Sequence, residues 1–207
     1  MTEFSALAPD RTASLVAGAL GLWFFAALAL SLSGAYYGVP APVVGGTNGL
    51  LVAGTLLAIW LIRPLRAWAM TVSLRWLVLY HAVRFVGIAF LVLHARGALP
   101  ADFALVAGWG DISVAVGALV VAFGAVPVTS RARWWTVLGW NVFGLADILL
   151  VIGTAMRLGL ADYGQIAVMT AFPMSLLPTF VVPLIIVTHV LIFVRLGRGM
   201  RERETAR

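Results

Sequence analysis

The chain has 207 residues, of which 62% are hydrophobic and only 11% are charged. A soluble domain carries about 45–50% apolar and about 25% charged residues, so a water-soluble fold has no interior large enough for this much apolar surface. The net charge of +6 does not indicate a nucleic-acid partner, because most of the arginines flank apolar runs. The composition therefore predicts an integral membrane protein whose main partner is the lipid bilayer.

Two missing residue types narrow the chemistry. The chain has no cysteine, which excludes disulfides, thiolate metal sites, iron–sulfur clusters and cysteine nucleophiles. It also has no lysine, because all 14 basic residues are arginine, so a Schiff base with retinal or pyridoxal phosphate is excluded. No phosphate-binding glycine loop and no pair of histidines at metal-ligand spacing on one helix occurs. We expect no metal site, and no motif indicates an enzyme.

Continuous apolar runs of about 20 residues, each long enough to cross the hydrocarbon core as a helix, follow one another along the chain. They lack the alternation that a membrane β-barrel needs, and glycine and proline clusters separate them. The sequence predicts one all-α transmembrane domain over residues 1–207, a bundle of six membrane helices followed by a basic cytoplasmic tail at 195–207. The predicted helices occupy about residues 14–33, 43–62, 74–93, 103–126, 134–156 and 172–194.

The arginines predict the orientation of the bundle. With the N-terminus in the cytoplasm, the inner segments carry 11 arginines, and the outer loops carry only Arg96 and Arg157. Positive residues concentrate on the cytoplasmic side of membrane proteins. We therefore predict a multipass protein of the bacterial inner membrane with both termini in the cytoplasm.

Three charged residues interrupt the apolar runs. Arg84 lies about halfway along the third predicted helix and Asp147 about halfway along the fifth, while Asp111 lies farther out on the fourth. Each charge near the bilayer centre costs about 2.5–3.5 kcal/mol, so we expect all three to face inward and meet. Their ionised charges sum to −1, so a proton on one aspartate, a charged histidine or a bound cation is needed for balance. The alternatives are a static packing triad, a proton or ion path, and substrate recognition.

Histidines offer a second interpretation. His81 and His189 each lie about six residues, or roughly 9 Å, from the cytoplasmic ends of the third and sixth predicted helices. Two histidines at matched depth are candidate axial ligands of haem b. The alternative is a pair of hydrogen-bonded histidines in the bundle, and the sequence requires no cofactor.

Prolines and glycines mark places where backbone geometry matters. Pro183 in the sixth predicted helix frees the carbonyl of Thr179, and lipid cannot satisfy that group, so a partner inside the bundle is expected. On the fourth predicted helix, Gly110, Gly117 and Gly124 recur every seven residues. Such a stripe lets another helix approach closely.

Five short motifs lie along the chain between Arg84 and His189. They are Arg84-x-x-Gly87-x-x-Phe90, Leu99-Pro100-x-x-Phe103-Ala104, Gly108-x-Gly110-Asp111, Trp140-Asn141-x-x-Gly144-x-x-Asp147, and Pro173, Pro178 and Pro183 before His189. Together they resemble a family of small, uncharacterised multipass bacterial membrane proteins. The resemblance covers about residues 75–196 and supplies no activity. It implies that five polar residues form one constellation: Arg84, Asp111, Asn141, Asp147 and His189.

The leading hypothesis is a small transporter, or an ion- or proton-coupled protein, with its polar site among the third, fourth, fifth and sixth predicted helices. Arg84 would bind an anionic group or hold a carboxylate, and Asp147 or Asp111 would carry the labile proton. His189 and Asn141 would extend the path inward.

Two alternatives remain. One is a redox subunit that holds haem b or contacts quinone through His81, His189 and Arg84. The other is a structural or assembly subunit of a larger membrane complex, in which the polar cluster fixes the packing. A homodimer or a partner in such a complex is compatible with each hypothesis.

Overall fold

The computed structural model describes residues 7–205, with side chains over residues 11–198, and this part of the chain contains helices and turns but no β-strand. Six helical rods in it are long and apolar enough to cross a membrane, which confirms the predicted all-helical fold with six long apolar helices. The α-helices are α1 (Leu7–Leu32), α2 (Ala41–Leu61), α3 (Arg63–Thr71), α4 (Leu74–Leu79), α5 (Gly87–Ala95), α6 (Ala101–Gly124), α7 (Arg131–Ala161) and α8 (Val182–Thr205).

Irregular helical turns complete two of the rods. A 3-10 helix, Tyr80–Val86, joins α4 to α5 in one continuous rod, Leu74–Ala95. A π turn, Leu177–Val181, leads into α8. A second 3-10 helix, Tyr163–Thr170, occupies the loop after α7. The backbone stays helical as far as Thr205, through most of the predicted basic tail; Arg207 lies outside the described residues.

A short helix, α3, follows α2 directly, and the sequence analysis did not predict it. Its residues Leu65, Trp68 and Ala69 follow the spacing of one helical face and pack against an apolar core cluster. Pro64 sits in its first turn, where the missing N–H costs nothing. The proline therefore starts a helix in addition to ending the previous one.

Two apolar core clusters occupy the two ends of the bundle, and a polar layer lies between them. Along α6, Ala107 belongs to one cluster and Val114 to the other, with Asp111 between them. Along α8, Ile185 and Val187 divide in the same way. The α4–α5 rod, α6, α7 and α8 supply most of this core. The polar layer therefore lies between two apolar clusters.

Side chains close the rods at the end predicted to be cytoplasmic. Arg75 donates from Nε to the carbonyl of Ala122 at 3.1 Å and from Nη2 to that of Val126 at 2.9 Å, so it caps the C-terminus of α6. Arg195 donates to the carbonyl of Val72. Several arginines of this end therefore satisfy terminal carbonyls, which apolar surroundings would leave unpaired.

Pro183 leaves the carbonyl of Thr179 without its usual backbone donor, and a side chain from another helix takes that place. The indole Nε1–H of Trp23, on α1, donates to this carbonyl at 2.8 Å. Asn48, on α2, donates to the neighbouring carbonyl of Pro178 at 3.1 Å. The π turn is thus held by side chains from the two peripheral helices, which otherwise bury few residues.

We expect Trp23→Phe to destabilise the protein by about 1–3 kcal/mol, because it leaves the Thr179 carbonyl buried without a donor. Adding Pro183→Ala should reduce that loss, since it restores a backbone N–H four residues after Thr179. Unfolding titrations in detergent micelles measure both effects. Trp109→Phe is the control, because Trp109 is 60% exposed. Equal losses in Trp23→Phe with and without Pro183→Ala would contradict this explanation.

Candidate functional site

The side chain of Arg84 is fully buried and connects three rods. Its Nε–H donates to Oδ1 of Asp111 at 2.6 Å, its Nη2 donates to Oδ2 of Asp147, and its Nη1 donates to the carbonyl of Gly144 at 2.8 Å. Asp111 lies on α6, and Asp147 and Gly144 lie on α7. The structure therefore brings the three predicted charges together around one guanidinium.

The two carboxylates share a single positive partner. Within the described part of the chain, Arg84 is the one cationic side chain that pairs with Asp111 or Asp147. Both aspartates are nearly inaccessible, at 3% and 9% exposure. If all three groups were ionised, the cluster would carry a charge of −1 in an apolar layer. One carboxyl is therefore in excess, and its charge is costly unless a proton or a cation neutralises it.

Glycines make the close approach around this cluster geometrically possible. A Cβ on Gly110 would collide with the carboxylate of Asp147, so the α6 backbone forms the seat of that side chain. A Cβ on Gly87 would lie 2.9 Å from Cβ of Asp111. The expected close packing holds at Gly110, whereas a Cβ on Gly124 would meet no atom within 4 Å.

Asn141 and His189 form a reciprocal pair on α7 and α8. Asn141 Nδ2–H donates to the backbone carbonyl of His189 at 3.1 Å, which fixes the orientation of the amide. Oδ1 of the amide then accepts from Nδ1–H of His189 at 2.7 Å. The imidazole proton therefore sits on Nδ1, and Nε2 is a bare acceptor with no hydrogen-bond partner among the described residues.

His81 lies directly against His189, with ring centroids 4.1 Å apart. Thr188 Oγ1 donates to the carbonyl of Leu184 at 2.8 Å, so it accepts from Nε2–H of His81 at 3.2 Å. Nδ1 of His81 then lacks a partner within the described chain. The Trp140 ring packs against the same imidazole nearly at a right angle, with centroids 5.1 Å apart.

The histidine geometry does not fit haem b. A metal–nitrogen bond is about 2 Å long, so two imidazole nitrogens on one iron lie about 4 Å apart and the ring centres farther still. His81 and His189 have ring centroids only 4.1 Å apart and touch each other, which leaves no gap for a porphyrin.

An apolar cavity of about 100 Å³ reaches the charged cluster from the end opposite α3. Its walls come from α2, α5, α6, α7, the π turn, α8 and the Tyr163–Thr170 helix, and Asp111 is its one charged lining residue. At its rim, Tyr163 Oη and Thr170 Oγ1 are 2.5 Å apart, and the backbone N–H of Gly38 donates to Tyr163 at 2.7 Å. The cavity thus places one carboxyl at the base of a hydrocarbon pocket.

Three polar lining residues were missed by the sequence analysis: Asn48, Tyr163 and Thr170. Asn48 is a single amide in the apolar run of α2, and a polar residue in such a run indicates a position that faces the interior. Tyr163 and Thr170 lie in a loop whose fold over the cavity no local pattern indicates.

The match to known proteins is at the level of a family. The model of a family described as a domain of unknown function, DUF8737, matches residues 41–197. The chain belongs to this family. No curated protein and no solved structure matches the chain. The DUF8737 match includes every residue of the charged cluster and the cavity except Val39, and it leaves out α1.

We expect Gly110→Ala to destabilise the protein by about 1–3 kcal/mol, because the added methyl displaces the Asp147 carboxylate from Arg84. Gly124→Ala lies on the same helix in open space, so it should leave stability unchanged or raise it by up to about 1 kcal/mol. Unfolding midpoints of the two variants in the same detergent give the comparison. Similar losses at both positions would show that helix conformation, not the carboxylate, sets the effect.

The charge excess predicts a non-additive mutant cycle. Asp111→Asn and Asp147→Asn should each cost about 1 kcal/mol or less, because the remaining aspartate still pairs with Arg84. The double variant strands a buried guanidinium and should cost about 3–5 kcal/mol. Asp102→Asn is the matched control, since Asp102 forms an exposed ion pair with Arg157. Additive losses in denaturant titrations would mean that both carboxylates are ionised and needed.

Proposed function

We propose that this protein is a small proton-coupled transporter of the bacterial inner membrane, with both termini in the cytoplasm. The six apolar rods support the membrane location, and the excess of arginines at one end supports the orientation. The observation that carries the function is that two buried carboxylates share Arg84 and one of them lines a cavity.

The excess carboxyl is the proton carrier. The guanidinium of Arg84 does not release its proton in proteins, so changes of charge in the cluster fall on Asp111 and Asp147. With one of them protonated the cluster is neutral, which avoids the cost of a net charge in the apolar layer. The expected role of Arg84 in holding a carboxylate is retained. Arg84 is not expected to bind an external anion, because its Nε, Nη1 and Nη2 already donate to groups of the protein.

The path to the proton is open on one side and closed on the other. The cavity meets Asp111 from the predicted outer end. On the inner side, Val78, Val114 and Val137 are fully buried and form an apolar plug. Transport requires the plug and the cavity to open alternately, and irregular helices next to a midplane site are typical of proteins that do this. The 3-10 stretch and the π turn supply that irregularity here.

Asn141 and His189 are placed to continue the path inward. The backbone of Gly144 joins them to the cluster, since its carbonyl accepts from Arg84 and a Cβ on it would lie 2.7 Å from Cε1 of His189. The bare Nε2 of His189 is the next proton acceptor along that path.

Topology is testable without removing any native thiol, because the chain has no cysteine. Ala98→Cys, in the connection between α5 and α6, should react with a membrane-impermeant maleimide in whole cells. Thr129→Cys, in the connection between α6 and α7, should react only after the cells are opened. Both positions are exposed. The reverse labelling pattern would overturn the orientation.

Proton coupling is testable in vesicles that contain the purified protein and a pH-sensitive dye. Under an imposed membrane potential, we expect proton entry above that of protein-free vesicles. Asp111→Asn and Asp147→Asn should abolish it, whereas Asp102→Asn should not. Infrared spectra should also show one protonated carboxyl, and each of the two asparagine variants should remove it, because the remaining aspartate is then ionised opposite Arg84. No proton flux and no protonated carboxyl would reduce the cluster to a packing element.

A further inference from the structure

We propose that the cavity binds a small hydrophobic ammonium ion, and that this cation exchanges for the proton on the Asp111–Asp147 pair. The inference rests on the proposed function and names its substrate class.

The cavity walls select a hydrocarbon body. Phe90, Phe103, Ile148, Val151 and Leu177 are buried side chains that line it. Such surfaces favour an apolar ligand that leaves water behind.

Each of the other polar side chains of the lining already makes a hydrogen bond within the protein. The Asn48 amide donates to the carbonyl of Pro178, and the hydroxyls of Tyr163 and Thr170 bind each other. A sugar, an amino acid or an anion would therefore lose its hydration with little to replace it.

Asp111 selects a positive head group. Its Oδ1 accepts from Arg84, and its Oδ2 makes no hydrogen bond to any described residue. Inorganic cations such as Ca²⁺ or Mg²⁺ are held by about six or more oxygen ligands, and this cavity offers far fewer. An ammonium group needs a carboxylate and an apolar enclosure for its alkyl chain, and the cavity supplies both.

The exchange preserves the charge of the site. Before binding, Arg84 and one ionised aspartate balance each other, and the second aspartate is protonated. When the cation enters, that proton leaves, so the site gains one positive charge and loses one. The net charge stays at zero on both sides of the exchange, which keeps the cost of either state low in the apolar layer.

The cavity volume limits the ligand. An apolar cavity of about 150 Å³ holds benzene, so the cavity of about 100 Å³ fits an amine of about five non-hydrogen atoms. Isobutylammonium has this size and serves as the probe, with isobutanol as its neutral counterpart.

Calorimetric titration of the detergent-purified protein tests the exchange. We expect isobutylammonium to release one proton when it binds. Its affinity should therefore rise about tenfold for each unit by which the pH is raised, over the range in which the carboxyl of the unbound protein is protonated. Repeating the titration in two buffers of different ionisation enthalpy counts that proton. Isobutanol should bind much more weakly.

Two variants separate the cavity from the charge. Asp111→Asn should abolish the pH dependence and weaken binding at least tenfold. Ala155→Leu fills the cavity from its lining and leaves the cluster intact, so it should abolish binding while infrared spectra still show the protonated carboxyl. Asp102→Asn should bind as the wild type does.

Several results would overturn the inference. They are equal binding of isobutanol, binding that Asp111→Asn leaves unchanged, no binding at all, and proton release on addition of NaCl alone. Vesicle proton flux that persists without amine binding would retain the proposed function and reject this substrate class. Amine binding without proton release would reject the coupling instead.

Discussion

The bundle depends on one buried guanidinium. Arg84 holds a carboxylate on α6, a carboxylate on α7 and a backbone carbonyl of α7, so three rods are fixed in register at the buried polar layer. Removing either the cation or both anions would leave an uncompensated charge there. Because Gly87 and Gly110 lack a Cβ, the side chains of Asp111 and Asp147 have room beside them. The groups that hold the rods together are therefore the same groups that form the proposed proton site.

Sequence reasoning reaches this far because hydrocarbon imposes simple rules. The apolar runs determine the number of rods, and the rule that charges avoid lipid identifies Arg84, Asp111 and Asp147 as partners before any coordinates are known. The loss of a hydrogen bond at Pro183 likewise points to a donor for Thr179. Each of these inferences follows from a group that has nowhere else to be satisfied.

The remainder depends on the path of the chain in three dimensions. No local pattern shows that Tyr163 and Thr170 fold over a cavity whose floor is Asp111, since that pocket uses residues from most of the bundle. The contact of His81 with His189 depends on how far each rod rotates about its axis, and matched depth alone does not fix that angle. The α3 helix was missed for another reason, because Pro64 directly follows the second apolar run, and a proline in that place is also typical of a helix end.

The π turn has a geometric consequence for everything that follows it. Such a turn holds one more residue than an α-helical turn, and one residue corresponds to a rotation of about 100° around a helix axis. Closing it to ordinary α geometry would turn the start of α8 by that angle, so that Thr188 would leave His81 and His189 would leave Asn141. The winding of a single turn thus decides which face of the last rod looks into the core.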